Sequence, residues 1–152
     1  MSEFHQEGYI TTIHGFYDLF EPEEHLMRLE KKLEAFSKHM CMGLLLPSLY
    51  EEIHVPQVLD NIIDQINQAN YLCSIVVALG GAKDEKEFKE AKDYFFRLRN
   101  KGRDVKVVWV EGPRVQAIFR KLQEQKIPVG VPGKGQSVWI TLGYLFATEA
   151  CD

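Results

Sequence analysis

The chain has 152 residues, enough for one domain with its own core, and its 45% hydrophobic and 26% charged content excludes a disordered or fibrous class. Its net charge of −4, with Lys and Arg mixed among Asp and Glu, advertises no basic face for duplex nucleic acid or an anionic membrane. A phosphate-bearing small molecule needs only one or two cations and stays within reach.

The N-terminal MSEFHQEGYI lacks the basic region and apolar run of a signal peptide, and no apolar stretch approaches the roughly 20 residues of a membrane span, so no membrane span and a cytoplasmic location are expected. The β-prone run Tyr9 to Tyr17 has no fixed place in the fold. Glu21-Pro22-Glu23-Glu24 opens a helix, with Pro in the first turn and acids at the positive end of the dipole, and Leu26, Leu29, Leu33 and Phe36 carry it to near Lys38. From Met40 a regular alternation begins. Gly43-Leu44-Leu45-Leu46 reads as a strand covered on both faces and ending at Pro47. Val55, Val58, Leu59, Ile62, Ile63 and Ile66 make the stripe of the next helix.

Ile75-Val76-Val77-Ala78 is a second buried strand, broken at Gly80-Gly81. Asp84 with Glu87 forms a capping box for a helix striped by Phe88, Ala91, Phe95 and Leu98 and stopped at Gly102. Val107-Val108-Trp109-Val110 is the third strand, and Gly112-Pro113 leads into a helix bearing Val115, Ile118, Phe119 and Leu122. A last helix carries Val138, Trp139, Leu142, Leu145 and Phe146 after the loop containing Pro132-Gly133-Lys134-Gly135.

Repeated strand–helix alternation predicts an α/β fold, a parallel, Rossmann-like sheet with helices on both faces and right-handed crossovers. With no repeat or linker the chain is one unit: residues 1–39 form an N-terminal strand and helix extension, and 40–152 a βαβαβα half-domain. Ligands in such sheets sit beyond the carboxyl ends of the strands, here Pro47 to Glu52, Leu79 to Ala82 and Glu111 to Arg114.

Lys134 fits neither familiar nucleotide fingerprint. The glycine that a phosphate loop needs is replaced by Pro128, Gly135 stands in place of Ser or Thr, and Val138 stands where a dinucleotide motif has its third glycine. Two readings remain: an anion grip at a helix mouth, or a solvated lysine in a glycine-permitted turn. Glu51 and Glu52 read either as dipole-complementing acids or as a nucleoside contact by the first of them. Arg114 reads as a surface arginine or as a phosphate or acceptor contact. No histidine pair has ligand spacing, no nucleophile elbow occurs, and no catalytic residue is assigned. Cys41, Cys73 and Cys151, odd in number and without CxxC spacing, are expected to be buried free thiols and not metal ligands.

In order and spacing, "LLLPSLYEE", "SIVVALGG" and "PGKGQSVW" resemble the nucleotide-binding half of GT-A glycosyltransferases, in particular the glucosyl-3-phosphoglycerate synthase group, from Met40 to the end of the chain. The resemblance implies a nucleoside-diphosphate sugar, UDP-linked, as partner. Pro47, Leu49 and Glu51 are then nucleoside contacts, Gly80 a backbone contact, and Lys134 the diphosphate contact. In place of the usual acidic residue and Ser-Gly-Ser/Thr, the second strand here ends in Ala78-Leu79-Gly80-Gly81. Relatives hold Mg²⁺ or Mn²⁺ on an Asp-x-Asp strand after the PGKG helix, whereas this chain stops at Asp152, which is not counted as a ligand. The resemblance thus implies a donor-binding half, incomplete at the C-terminus, inactive alone and with no cation bound, whose unfinished sheet edge invites a homodimer. The rival reading is a non-catalytic α/β protein-interaction module that uses that edge.

Overall fold

In the computed structural model, residues 23–148 are described; the run Tyr9 to Tyr17, Cys151 and Asp152 lie outside them. Helix α1 covers Glu23–Ser37 and strand β1 Met42–Leu49, followed by a 3-10 helix, Tyr50–His54. Helix α2 is Pro56–Gln68, β2 Leu72–Gly80, α3 Glu85–Phe95, continued by a 3-10 segment, Phe96–Gly102. Strand β3 is Asp104–Trp109, α4 Pro113–Glu124 and α5 Lys134–Thr148. The strands pair in the order β1-β2-β3, both pairs parallel, so the expected α/β class and parallel sheet are present.

Central β2 is buried from Ser74 through Gly80, as its unalternating apolar run requires. Ile75, Val77 and Leu79 pack with Leu59 and Ile63 of α2 and Ala91, Phe95 and Leu98 from α3 and its extension. A second cluster, Val110, Val115, Phe119 and Ile140, involves α4 and α5, so helices cover both faces of the sheet. Each such Val, Leu, Ile or Phe side chain taken fully out of water contributes about 1.5–3 kcal/mol. Asp84 caps α3, its carboxylate accepting from the Glu87 N–H at 2.9 Å, while Glu87 reaches back to the Lys83 N–H at 2.7 Å.

Arg103, just before β3, is buried and donates from Nε to Leu72 O (3.2 Å), from Nη1 to Ile66 O (3.1 Å) and from Nη2 to Ala69 O (2.8 Å). It thereby fastens the carboxyl end of α2 and the start of β2 to the entry of β3. Burial lowers the guanidinium pKa.

Four expectations need correction. Strand β1 does not end at Pro47 but runs to Leu49 and is only half-buried, because it lies at the sheet edge, where a proline costs no ladder bond on the open side. The α2 stripe buries Leu59 and Ile63 but leaves Val55, Val58 and Ile62 exposed beyond that edge. On α5 the buried residues are Ile140 and Thr141, with Trp139, Leu142 and Phe146 exposed; a helix apolar all round does not reveal its inner face by its pattern. Cys41 and Cys73 are joined in a disulfide and are not free thiols. Parallel pairing sets Met42 against Leu72 and brings the two Cα atoms within 5.7 Å, although 32 positions separate them in sequence.

Candidate functional site

The carboxyl ends of β1 and β2 and the amino end of α5 enclose a crevice of about 820 Å³. Pro47, Leu49, Gly80 and Lys134 all line it, so four of the residues singled out in the sequence converge. Gly133 adopts φ of +151°, and its carbonyl accepts the first helical bond of α5 from the Ser137 N–H at 3.0 Å. Lys134 is therefore the first residue of the helix, where unpaired N–H groups and the dipole favour an anion.

Glu51 does not line this crevice. It lies in an adjoining groove with Val55, Val58 and Ile62, which shares Pro47 and Leu49 with the crevice. Its neighbour Glu52 does face the crevice, with its carboxylate turned back on the chain: Oε2 accepts from Ser48 Oγ and, at 3.0 Å, from the Leu49 N–H. Those bonds hold the corner where β1 enters the 3-10 helix and fix the floor beneath Leu49. Arg114 lies in a third groove, along β3.

The crevice contains groups the sequence reading did not single out. Glu111 accepts from the Gly81 N–H at 3.2 Å, and Gly81, at φ of +79°, takes the left-handed turn that ends β2. Arg120 of α4 supplies a second cation on the lining. Gln116 and Gln136 are oriented by backbone carbonyls, Val110 O and Val129 O, each at 3.0 Å. Glu111 had a signal, its place directly after the third apolar strand. Arg120 had none, because it is one of three cations on α4 and reaches the crevice only through the helix rotation.

Chemically, the crevice offers two cations, strand-end residues Pro47 and Gly80 and an apolar, exposed side chain, Leu49, at its rim, which suits an anionic ligand with a flat, uncharged portion. The Mg²⁺ or Mn²⁺ that the resemblance implies does not fit here. Among the described residues no three metal-ligating side chains cluster, and both crevice carboxylates already accept backbone N–H groups. Among the described residues no helix is long and apolar enough to cross a membrane.

Fold and crevice together define an α/β domain of the parallel class whose crevice opens where the strands end, the usual place for a ligand in such sheets. The particular resemblance is to glucosyl-3-phosphoglycerate synthases. The one from Persephonella marina is 41% identical over 147 residues, 97% of this chain and 34% of the relative. The one from Methanococcoides burtonii is 34% identical over 146 residues, 93% of this chain and 32% of the relative. The chain thus spans about a third of the length of these curated relatives. No family profile and no solved structure matches it.

Proposed function

We propose that this chain is the donor-binding portion of a GT-A glycosyltransferase that moves a hexosyl group from a nucleoside-diphosphate sugar, UDP-linked, to a small acceptor such as 3-phosphoglycerate. The observation that supports this reading is the convergence of Pro47, Leu49, Gly80 and Lys134 on one crevice, in a chain similar to glucosyl-3-phosphoglycerate synthases throughout. In it Lys134, helped by Arg120, meets the diphosphate, and Leu49 with the backbone of Pro47 and Gly80 holds the base. Glu51 contributes from the adjoining groove, while Glu111 is an acidic side chain facing the crevice directly. Transfer itself belongs to the longer protein, where carboxylates outside this chain hold Mg²⁺ or Mn²⁺, so the chain alone binds donor without turning it over.

Calorimetric titration with UDP, in parallel with Trp139 fluorescence, tests this. Millimolar-range binding is expected, weakened about tenfold in Lys134→Ala by loss of one charge-assisted contact. Comparing Glu51→Gln with Glu111→Gln identifies which acid the ribose meets. No response at millimolar UDP, or equal affinity in Lys134→Ala, overturns the reading.

A further inference from the structure

The outer side of β3 carries the third groove, of about 850 Å³, away from the crevice. Among the described residues no strand pairs with this side of β3, which leaves the backbone donors and acceptors of Asp104–Trp109 on that side without a ladder partner there. Four cations line the groove, Lys92, Arg99, Lys106 and Arg114, against one carboxylate, Glu85. In a chain of net charge −4 this concentration runs against the overall balance. The cations are spread over four elements: Lys92 on α3, Arg99 in its 3-10 extension, Lys106 on β3, and Arg114 at the start of α4.

Two of them are held in place. Arg99 stacks its guanidinium 3.8 Å from the Phe96 ring centroid, and Lys92 lies 5.3 Å from the same ring. Lys106 spends part of its charge on Asp104, 3.0 Å away, yet both side chains remain nearly half exposed. A second copy of this chain pairing through β3 would bring like charges together, which disfavours self-association at this edge. Nucleic acid supplies negative charge but no extended backbone to complete a β-ladder.

We propose that the β3 edge is a docking strand for an acidic, extended peptide segment, which adds to the sheet by main-chain hydrogen bonds while its carboxylates meet Lys92, Arg99, Lys106 and Arg114. The site is independent of the donor crevice, and occupancy of one leaves the other open.

The test is fluorescence anisotropy of the whole chain with a labelled peptide alternating Glu and Val. The controls are the same peptide N-methylated at alternate amides and an oligothymidylate of equal charge. The acidic peptide is expected to bind, to weaken as salt rises through roughly 0.1 M, where the screening length is about 10 Å, and to slow amide exchange at 104–109. Arg99→Glu with Lys106→Glu, both surface changes, is expected to weaken it about tenfold or more while leaving UDP binding unchanged. Absence of peptide binding overturns the proposal, as does unchanged affinity in the double variant. Equal binding of the N-methylated peptide or of the oligothymidylate also overturns it, because charge alone would then account for the association.

Discussion

Replacing Arg103 by Met keeps much of the buried stem and removes only the guanidinium. That group makes three hydrogen bonds to backbone carbonyls, Ile66 O, Ala69 O and Leu72 O, with no carboxylate partner among the described residues. Bonds from a charged donor contribute roughly 1.5–3 kcal/mol each, a gross of about 5–9 kcal/mol. Burying the charge offsets several kcal/mol of this, leaving a net loss of about 2–4 kcal/mol. With a urea slope of roughly 2 kcal/mol/M, the unfolding midpoint of Arg103→Met falls by about 1–2 M. Equilibrium denaturation followed by Trp109 and Trp139 fluorescence measures this directly. Arg103→Lys, a point charge without the planar fork, is expected to fall between the two. A midpoint for Arg103→Met within about 0.3 M of the parent chain would refute the clasp, because three freed carbonyls cannot be that cheap.

Gly112→Ala is expected to cost about 1–3 kcal/mol by overpacking and to shift Trp109 emission, because its new Cβ would stand 2.8 Å from the indole ring. Tyr50 titrates at about 12 instead of 10.0, raised first by desolvation, then by its 2.9 Å bond to Glu90 and by the Glu90 charge. The neutral phenol is thus favoured by folding; its contribution is complete below pH 10.0 and is lost as pH rises toward 12, and Glu90→Gln moves the phenolate absorbance back toward 10.0. Hydrogen bonds from Tyr94 and Arg97 hold the Asp60 carboxyl below its ordinary value. Its contribution is present above the normal carboxylate range and lost as pH falls through the lowered pKa. Acid unfolding of Asp60→Asn is therefore expected to be less steep with pH.

The parallel sheet and its central strand were legible because Ile75, Val76, Val77 and Ala78 are buried on both faces and bounded by turn residues. The limits of β1 were not, since whether Pro47 ends a strand depends on whether that strand lies at an edge, and strand order is a tertiary fact. The Cys41–Cys73 bond was hidden for the same reason: it appears only once register is known. Arg103 resembles any surface cation in sequence, because three separate carbonyl ends meet there only after folding. Within the crevice, Pro47, Leu49, Gly80 and Lys134 were readable as strand-end and helix-mouth positions. Choosing between Glu51 and Glu52 was not, for it turns on one step of rotation in the 3-10 helix.

Trp109 stacks on Phe88 at 5.2 Å, donates its indole N–H to Ala82 O at 2.9 Å and roofs Gly112. One rigid ring therefore keys together the connections that leave β2 and β3, next to Gly81 and Glu111. Neither connection can be reshaped alone: sequence drift on one side must be matched on the other, so these two segments are bound to change as a pair or not at all.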